Sequence, residues 1–247
     1  MIRIVDVSKE YKAGLWGGRV RAVTGLDLHV REGEIFGFLG PNGAGKSTTI
    51  KILMNFIRPT KGSATICGVP VGEAEARAQV GFLPENPCFY SDLTAEELLF
   101  FGGRTSGMAT ALIRQRCAEL LGQMELRGVN RRRVKTFSKG MLQRLGLAYS
   151  LMHDPRVVIL DEPMSGLDPL GRKLVGDLML ALKAEGKTVF FSSHILNDVE
   201  KFCDRAGIIV GGVLQRLDTV SALLADASSL EEVFLREVAK ASPGGGV

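Results

Sequence analysis

Nine consecutive residues, Gly40-Pro41-Asn42-Gly43-Ala44-Gly45-Lys46-Ser47-Thr48, concentrate the most specific chemistry in the chain. Gly40, Gly45, Lys46 and Ser47 meet the pattern G-x-x-x-x-G-K-[ST]. Glycines let successive backbone N–H groups wrap an anion without a Cβ in the way, and a helix beginning at the end of the loop adds its positive dipole end. A lysine at the seventh position reaches the β- and γ-phosphates, and the hydroxyl after it can ligate Mg²⁺. The spacing therefore predicts a nucleotide-phosphate loop made of residues 40–48. An ordinary glycine-rich turn would need neither the lysine nor the hydroxyl.

A second constellation lies further on. The apolar run Val157-Val158-Ile159-Leu160 ends in Asp161-Glu162, followed by Pro163. Carboxylates at the C-terminal end of a buried parallel strand sit where α/β proteins bind ligands. Phosphoanhydride hydrolysis needs a metal held near the γ-phosphate and a group that orients the attacking water. Asp161 suits the metal, and Glu162 suits general base or water positioning. Taken alone, the pair reads equally well as a solvated strand end before a proline turn; the phosphate loop tips the balance.

These groups need elements to carry them. Glu34-Ile35-Phe36-Gly37-Phe38-Leu39 is a continuous apolar run, as a strand buried on both faces should be. After the glycine loop, Ile50, Leu53, Met54 and Ile57 recur at helical spacing. Strand, loop and helix is the context a phosphate loop requires. Upstream, Ile2, Ile4 and Val7, then Leu26, Leu28 and Val30, alternate as strands do. Residues 58–84 read as short strands and turns ending in Val80-Gly81-Phe82-Leu83. From about 88 to 154 the texture is helical: Thr94 with Glu97 predicts a capping box, and further helices are expected near 109–123 and 138–152. A strand at Thr188-Val189-Phe190-Phe191 follows a helix over about 170–185. Gly207–Leu217 reads as a hairpin turning at Gly211-Gly212, and two short helices close the chain, the second begun by Ser229 with Glu232.

Composition bounds what this core can serve. The 247 residues suffice for one large α/β domain with a smaller subdomain. A net charge of +4 is mild, and the basic run Arg131-Arg132-Arg133 with Lys135 has no interleaved aromatics, so no direct nucleic-acid contact is expected. Cys67, Cys88, Cys117 and Cys203 show no metal-ligand spacing and read as reduced thiols. Met1–Asp6 has no signal-peptide form, and no apolar run approaches the ~20 residues that span a bilayer. Any membrane role is expected to come through a partner.

With these residues in place, nearly the whole chain resembles the ATP-binding subunit of ABC transporters. Phe137-Ser138-Lys139-Gly140-Met141-Leu142-Gln143-Arg144 is similar to that family's LSGGQ signature followed by QR, with Phe137, Lys139 and Met141 departing from it. Ser138 would N-cap a helix whose Leu142, Leu145 and Tyr149 face inward, leaving N–H groups and dipole for a phosphate. Ser165-Gly166-Leu167-Asp168 is similar to the D-loop. His194, 32 residues after Glu162, is similar to the switch histidine that contacts the γ-phosphate. Tyr11 stands where the family places an aromatic that stacks on adenine, with Trp16 as a rival. Gly81-Phe82-Leu83-Pro84-Glu85-Asn86 places Glu85 where the family has its Q-loop glutamine. A carboxylate can accept from a metal-bound water but cannot donate, so the coordinating role carries over and the water-positioning part is left open.

The resemblance implies an α/β fold: a P-loop NTPase core of the ABC ATPase kind, an antiparallel β subdomain and a helical insert. Residues 1–86 and 155–220 would form the core with the β subdomain, 87–154 the helical subdomain, 221–241 the C-terminal helices and 242–247 a flexible tail. It implies ATP and Mg²⁺ as cofactors. Residues 40–48, Tyr11 and Ser138, Lys139 and Gly140 would bind nucleotide; Ser47, Glu85 and Asp161 would hold the metal; Glu162 and His194 would be catalytic. Two copies would close head to tail on ATP, each nucleotide lying between the loop of one and Ser138–Gly140 of the other. The pair would drive a separate transmembrane permease from the cytoplasmic face, with Pro87-Cys88-Phe89-Tyr90-Ser91 presenting apolar groups to it. Glu85 and the altered signature resemble the exporter subgroup often called ABC-2 type, as does the closing segment Ser229–Leu235. Two other readings stand beside this one: a related soluble ATPase acting on nucleic acid or ribosomes, and a regulatory nucleotide-binding module without turnover. A single phosphate loop, no long heptad array and no clustered cysteines weigh against the first; Glu162 and His194 weigh against the second. The cargo is not written in the sequence.

Overall fold

The continuous apolar runs become the middle of a six-stranded sheet in the computed structural model, which describes residues 1–12 and 18–241. In chain order the strands are β1 (Ile2–Lys12), β2 (Arg19–Val30), β3 (Ile35–Leu39), β4 (Lys61–Ile66), β5 (Val69–Pro70), β6 (Val80–Leu83), β7 (Val157–Asp161), β8 (Thr188–Ser193), β9 (Arg205–Val210) and β10 (Val213–Thr219). The large sheet runs β10-β9-β3-β8-β7-β6, parallel from β9 to β6 with β10 antiparallel at one edge. A second, wholly antiparallel sheet has the order β2-β1-β4-β5. The helices are α1 (Lys46–Leu53), α2 (Ala74–Ala78), α3 (Ala95–Thr105), α4 (Thr110–Gln123), α5 (Lys139–Ser150), α6 (Pro169–Ala184), α7 (Leu196–Phe202), α8 (Val220–Leu223) and α9 (Leu230–Ala241).

All residues of β3, β7 and β8 are buried, yet each strand still divides its side chains between two cores. Phe36, Phe38, Val157, Ile159 and Phe190 face the antiparallel sheet and α1. Ile35, Leu39, Val158, Leu160, Val189 and Phe191 face the helical side, where residues of α3 to α7 pack. Period-2 geometry is thus intact beneath runs that show no alternation, because both faces are covered. Phe36 stacks on Phe190 at 5.7 Å between centroids, which locks neighbouring β3 and β8 in register.

The expected capping box forms: Thr94 Oγ1 accepts from Glu97 N–H at 3.2 Å, and Thr94 N–H donates to Glu97 Oε2 at 2.8 Å. The hairpin turns at Gly211 (φ 57°) and Gly212 (φ 81°), the two positive-φ residues a tight primed turn requires. At α9 the bonding differs in detail. Ser229 Oγ accepts from Glu232 N–H at 3.3 Å, but the glutamate reaches back to Ser228, at 2.9 Å from its N–H. Two helices were not expected. Residues 58–84 include α2, and α7 follows His194. Each spans fewer than two full turns, too short for a 3.6-residue period to show, although the alternating alanines of α2 favour helix.

The last turn of α5 lies tightly on β6. A Cβ at Gly81 would come 2.2 Å from the Ser150 carbonyl oxygen, so any larger residue there would push the helix off the sheet. That contact sets where the N-terminus of α5 stands relative to the strand ends. Trp16 and the segment 242–247 lie outside the described residues.

Candidate nucleotide site

The loop 40–48 joins β3 to α1 by a path only its glycines permit. Gly45 has φ 109°, and a Cβ there would lie 2.5 Å from the Ala22 carbonyl oxygen. The loop is braced from outside: Ala44 N–H donates to the Pro41 carbonyl at 3.1 Å, and the Ala44 carbonyl accepts from Gly212 N–H at 3.0 Å. No side chain caps α1. Its first N–H groups have no intrahelical partner and are available to an anion.

Lys46 is 6% exposed, an unusual place for an ammonium, and is satisfied locally. Its Nζ donates to the Gly40 carbonyl at 2.6 Å and the Pro41 carbonyl at 3.4 Å, and stands 3.6 Å from Glu162 Oε1. Asp161 and Glu162 are both buried, brought here because β7 runs beside β8 and places Asp161 opposite Ser192. Ser192 Oγ donates to Asp161 Oδ1 at 2.6 Å and accepts from Glu162 N–H at 3.0 Å, so one hydroxyl orients both acidic residues. Ser47 Oγ donates to the same Asp161 Oδ1 at 3.5 Å. His194 Nδ1 lies 2.8 Å from Glu162 Oε2, and the ring itself is half exposed. Glu162 adopts φ 51° immediately before Pro163, a combination the proline disfavours. Such left-handed non-glycine residues store about 1–3 kcal/mol of strain and persist where their surroundings over-determine them.

The result is a cleft of about 380 Å³ lined by residues 41–48, Glu85, Glu162 and His194. Asp161 lies beneath it through Ser47. Two expected groups stand elsewhere. Tyr11 is on β1, exposed, with Lys9 Nζ 5.2 Å from its ring centroid, and is not among the lining residues. Ser138 caps α5, accepting from Met141 N–H at 3.3 Å, and neither it, Lys139 nor Gly140 lines the cleft. Lys139 instead lays its side chain over Gly166, and Gly140 faces Leu167. Ser192 and Gln143 are the residues that site-directed reading of the sequence missed. Ser192 was detectable as the first of two hydroxyls after the apolar run Val189-Phe190-Phe191.

The oxygens present suit Mg²⁺. That ion takes one or two carboxylates and completes its shell with phosphates and waters, so Ser47 Oγ and Asp161, hard donors 3.5 Å apart, suffice from the protein side. Glu85 is an exposed carboxylate at the cleft's edge.

The profile of the family described as ABC transporter matches residues 23–165. An uncharacterized ABC transporter ATP-binding protein of Synechocystis sp. is 43% identical over 235 residues, covering 93% of this chain; the chain spans 66% of that relative's length. The Nod factor export ATP-binding protein I of Paraburkholderia xenovorans is 40% identical, over 84% of this chain and 69% of its own. Among solved structures, an ATP-binding subunit of an ABC transporter superposes with a TM-score of 0.87 at 30% identity, covering 96% of this chain and 99% of its own. A dimeric ATP-binding cassette in a post-hydrolysis state, bound to ADP and Pi, gives 0.82 at 26% identity, over 89% and 99%. With a phosphate loop, paired carboxylates and a histidine gathered at the strand ends, and a signature-like helix standing away from them, this chain belongs to the ABC transporter ATP-binding family.

Proposed function

We propose that this chain binds and hydrolyses ATP and thereby powers an ABC exporter. One observation carries the reading: Lys46 and Ser47 at the start of uncapped α1 and Glu162 and His194 beyond the ends of β7 and β8 line a single cleft, with Asp161 hydrogen-bonded to Ser47 beside it. The phosphates of ATP lie against the N–H groups of residues 43–48. Lys46 exchanges its contact with Glu162 for phosphate oxygens, which frees the carboxylate to orient water in line with the γ-phosphate. His194 contacts that phosphate and, through its 2.8 Å bond, keeps Glu162 aimed. Ser47 and Asp161 would hold Mg²⁺, with Glu85 at the edge, and the ion would supply neutralisation of phosphate charge.

Ser138–Gly140 lie outside their own chain's cleft, so one copy presents only part of a closed site. A second copy, facing head to tail, brings the N-terminus of α5 to the γ-phosphate, and Tyr11 covers adenine. The dimeric cassette holding ADP and Pi supports the pairing of two copies. Closing only when the γ-phosphate is present gives ATP a differential affinity for the two states, and that difference drives the cycle.

The permease is a separate chain met from the cytoplasmic side; among the described residues no helix is long and apolar enough to cross a membrane. Residues 87–154 form the helical subdomain that docks it, beside the core of 1–86 and 155–220 and the closing helices of 221–241. Phe89 turns inward against Tyr149, whereas Tyr90 is 66% exposed and packs edge-on against exposed Phe101. Export is favoured by the Nod factor relative and by the exporter-like signature. Two measurements test the reading: Mg²⁺-dependent ATP hydrolysis by the purified chain, and capture from detergent extracts of a polytopic membrane protein. A chain that neither turns over ATP nor holds such a protein has another function.

A further inference from the structure

We propose that Gln143 is a positioning residue for Glu162, acting through the carbonyl of Pro163. This rests on the reading of Glu162 as the group that orients water. Gln143 is 2% exposed, in a stretch of α5 that otherwise buries Leu145, Gly146 and Leu147. A buried amide costs free energy unless it is hydrogen-bonded, and an apolar side chain of the same length would pack there without that cost. Its Nε2 donates to the Pro163 carbonyl at 3.1 Å, across 20 residues of sequence.

The position of that bond gives it leverage. Glu162 is held in its left-handed conformation from the upstream side by Ser192 Oγ on its N–H. Downstream, its carbonyl accepts from Ser165 N–H at 3.1 Å, a bond internal to the same turn. Pro163 has no N–H, so its carbonyl is the one backbone group by which an outside element can grip it. Gln143 supplies that grip. The same helix also places Lys139 over Gly166 and Gly140 against Leu167, so α5 meets the segment after Glu162 at three successive places. Glu162 must span Lys46 and His194 at once, and misplacing a catalytic group by about 1 Å costs on the order of 100-fold in rate. A shift of α5 is therefore felt at the carboxylate of its own chain.

Gln143→Met keeps the length and removes the donor. The full chain carrying it should hydrolyse ATP about 10- to 100-fold more slowly at saturation, with ATP affinity within about twofold of the parent, since the loop 40–48 is untouched. Combined with Glu162→Gln it should be no slower than Glu162→Gln alone, because Gln143 acts only through that carboxylate. Should the methionine variant fail to fold, Gln143→Glu keeps the shape and replaces the donor with an acceptor, and the same loss is expected. Wild-type turnover in a folded variant overturns the proposal. So does a parallel loss of affinity, which marks general loosening, or a further loss in the double variant. If Glu162→Gln itself turns over normally, the reading of Glu162 fails; if Glu162→Gln is slow and Gln143→Met is fast, only the role of Gln143 fails.

Discussion

Glu162→Gln tests the electrostatic logic of the site as well as its chemistry. The Lys46–Glu162 pair is buried and 3.6 Å apart. At an effective dielectric of about 20 its Coulomb energy is about 5 kcal/mol, and desolvation offsets most of it, leaving a net of about 1–2 kcal/mol. Incoming phosphate must take Lys46 from this carboxylate and tolerate its negative charge. The glutamine is neutral, so ATP affinity should rise about tenfold, the equivalent of about 1.4 kcal/mol. Turnover should fall about 10²- to 10⁴-fold for loss of a general base. The two effects together make the variant accumulate as an ATP-bound dimer. Equilibrium nucleotide binding, steady-state phosphate release and sedimentation velocity with and without MgATP read the three parts separately. Normal turnover would remove Glu162 from the mechanism. Slow turnover with unchanged or weaker affinity would leave the catalytic role standing and refute the competition for Lys46.

Lys46→Ala should abolish nucleotide binding or hydrolysis; wild-type activity in that variant sinks the central claim. Gly45→Ala places a methyl 2.5 Å from the Ala22 carbonyl at φ 109°, and should cost roughly 1–3 kcal/mol in chemical denaturation together with nucleotide affinity. Gly43→Ala, at φ 79° but with open space around its Cβ, should carry the backbone strain without the clash and so be milder, and equal damage from both would contradict the steric account. His153, partly buried with Nε2 3.2 Å from the Val80 carbonyl, has its pKa lowered from 6.5, first by burial. The unfolded chain then takes up the proton more readily, so this contribution is complete above pH 6.5 and is lost as pH falls below it. His153→Gln should flatten the acid side of the Tm-versus-pH curve below pH 6.5, and an unchanged slope would show that other groups set it.

What the sequence determined by itself is local chemistry. The loop 40–48 declares itself because a phosphate cradle needs its glycines, lysine and hydroxyl contiguous, and the backbone that binds is the backbone that is read. The strands at 35–39 and 157–161, the Thr94–Glu97 box and the Gly211-Gly212 turn are legible for the same reason: their causes lie within a few residues. Helices α2 and α7 escaped because five and seven residues carry too little periodicity. Family resemblance pointed to His194 and Ser138, but neither their distance from the loop nor their side of the molecule is a local property. Only the tertiary structure put Ser192 under both carboxylates, through the β7–β8 register, and Gln143 on the Pro163 carbonyl, through α5 lying on β6. Strand order and helix docking depend on the sum of many weak contacts across the two cores. The same contacts leave Ser138–Gly140 away from the cleft of their own chain.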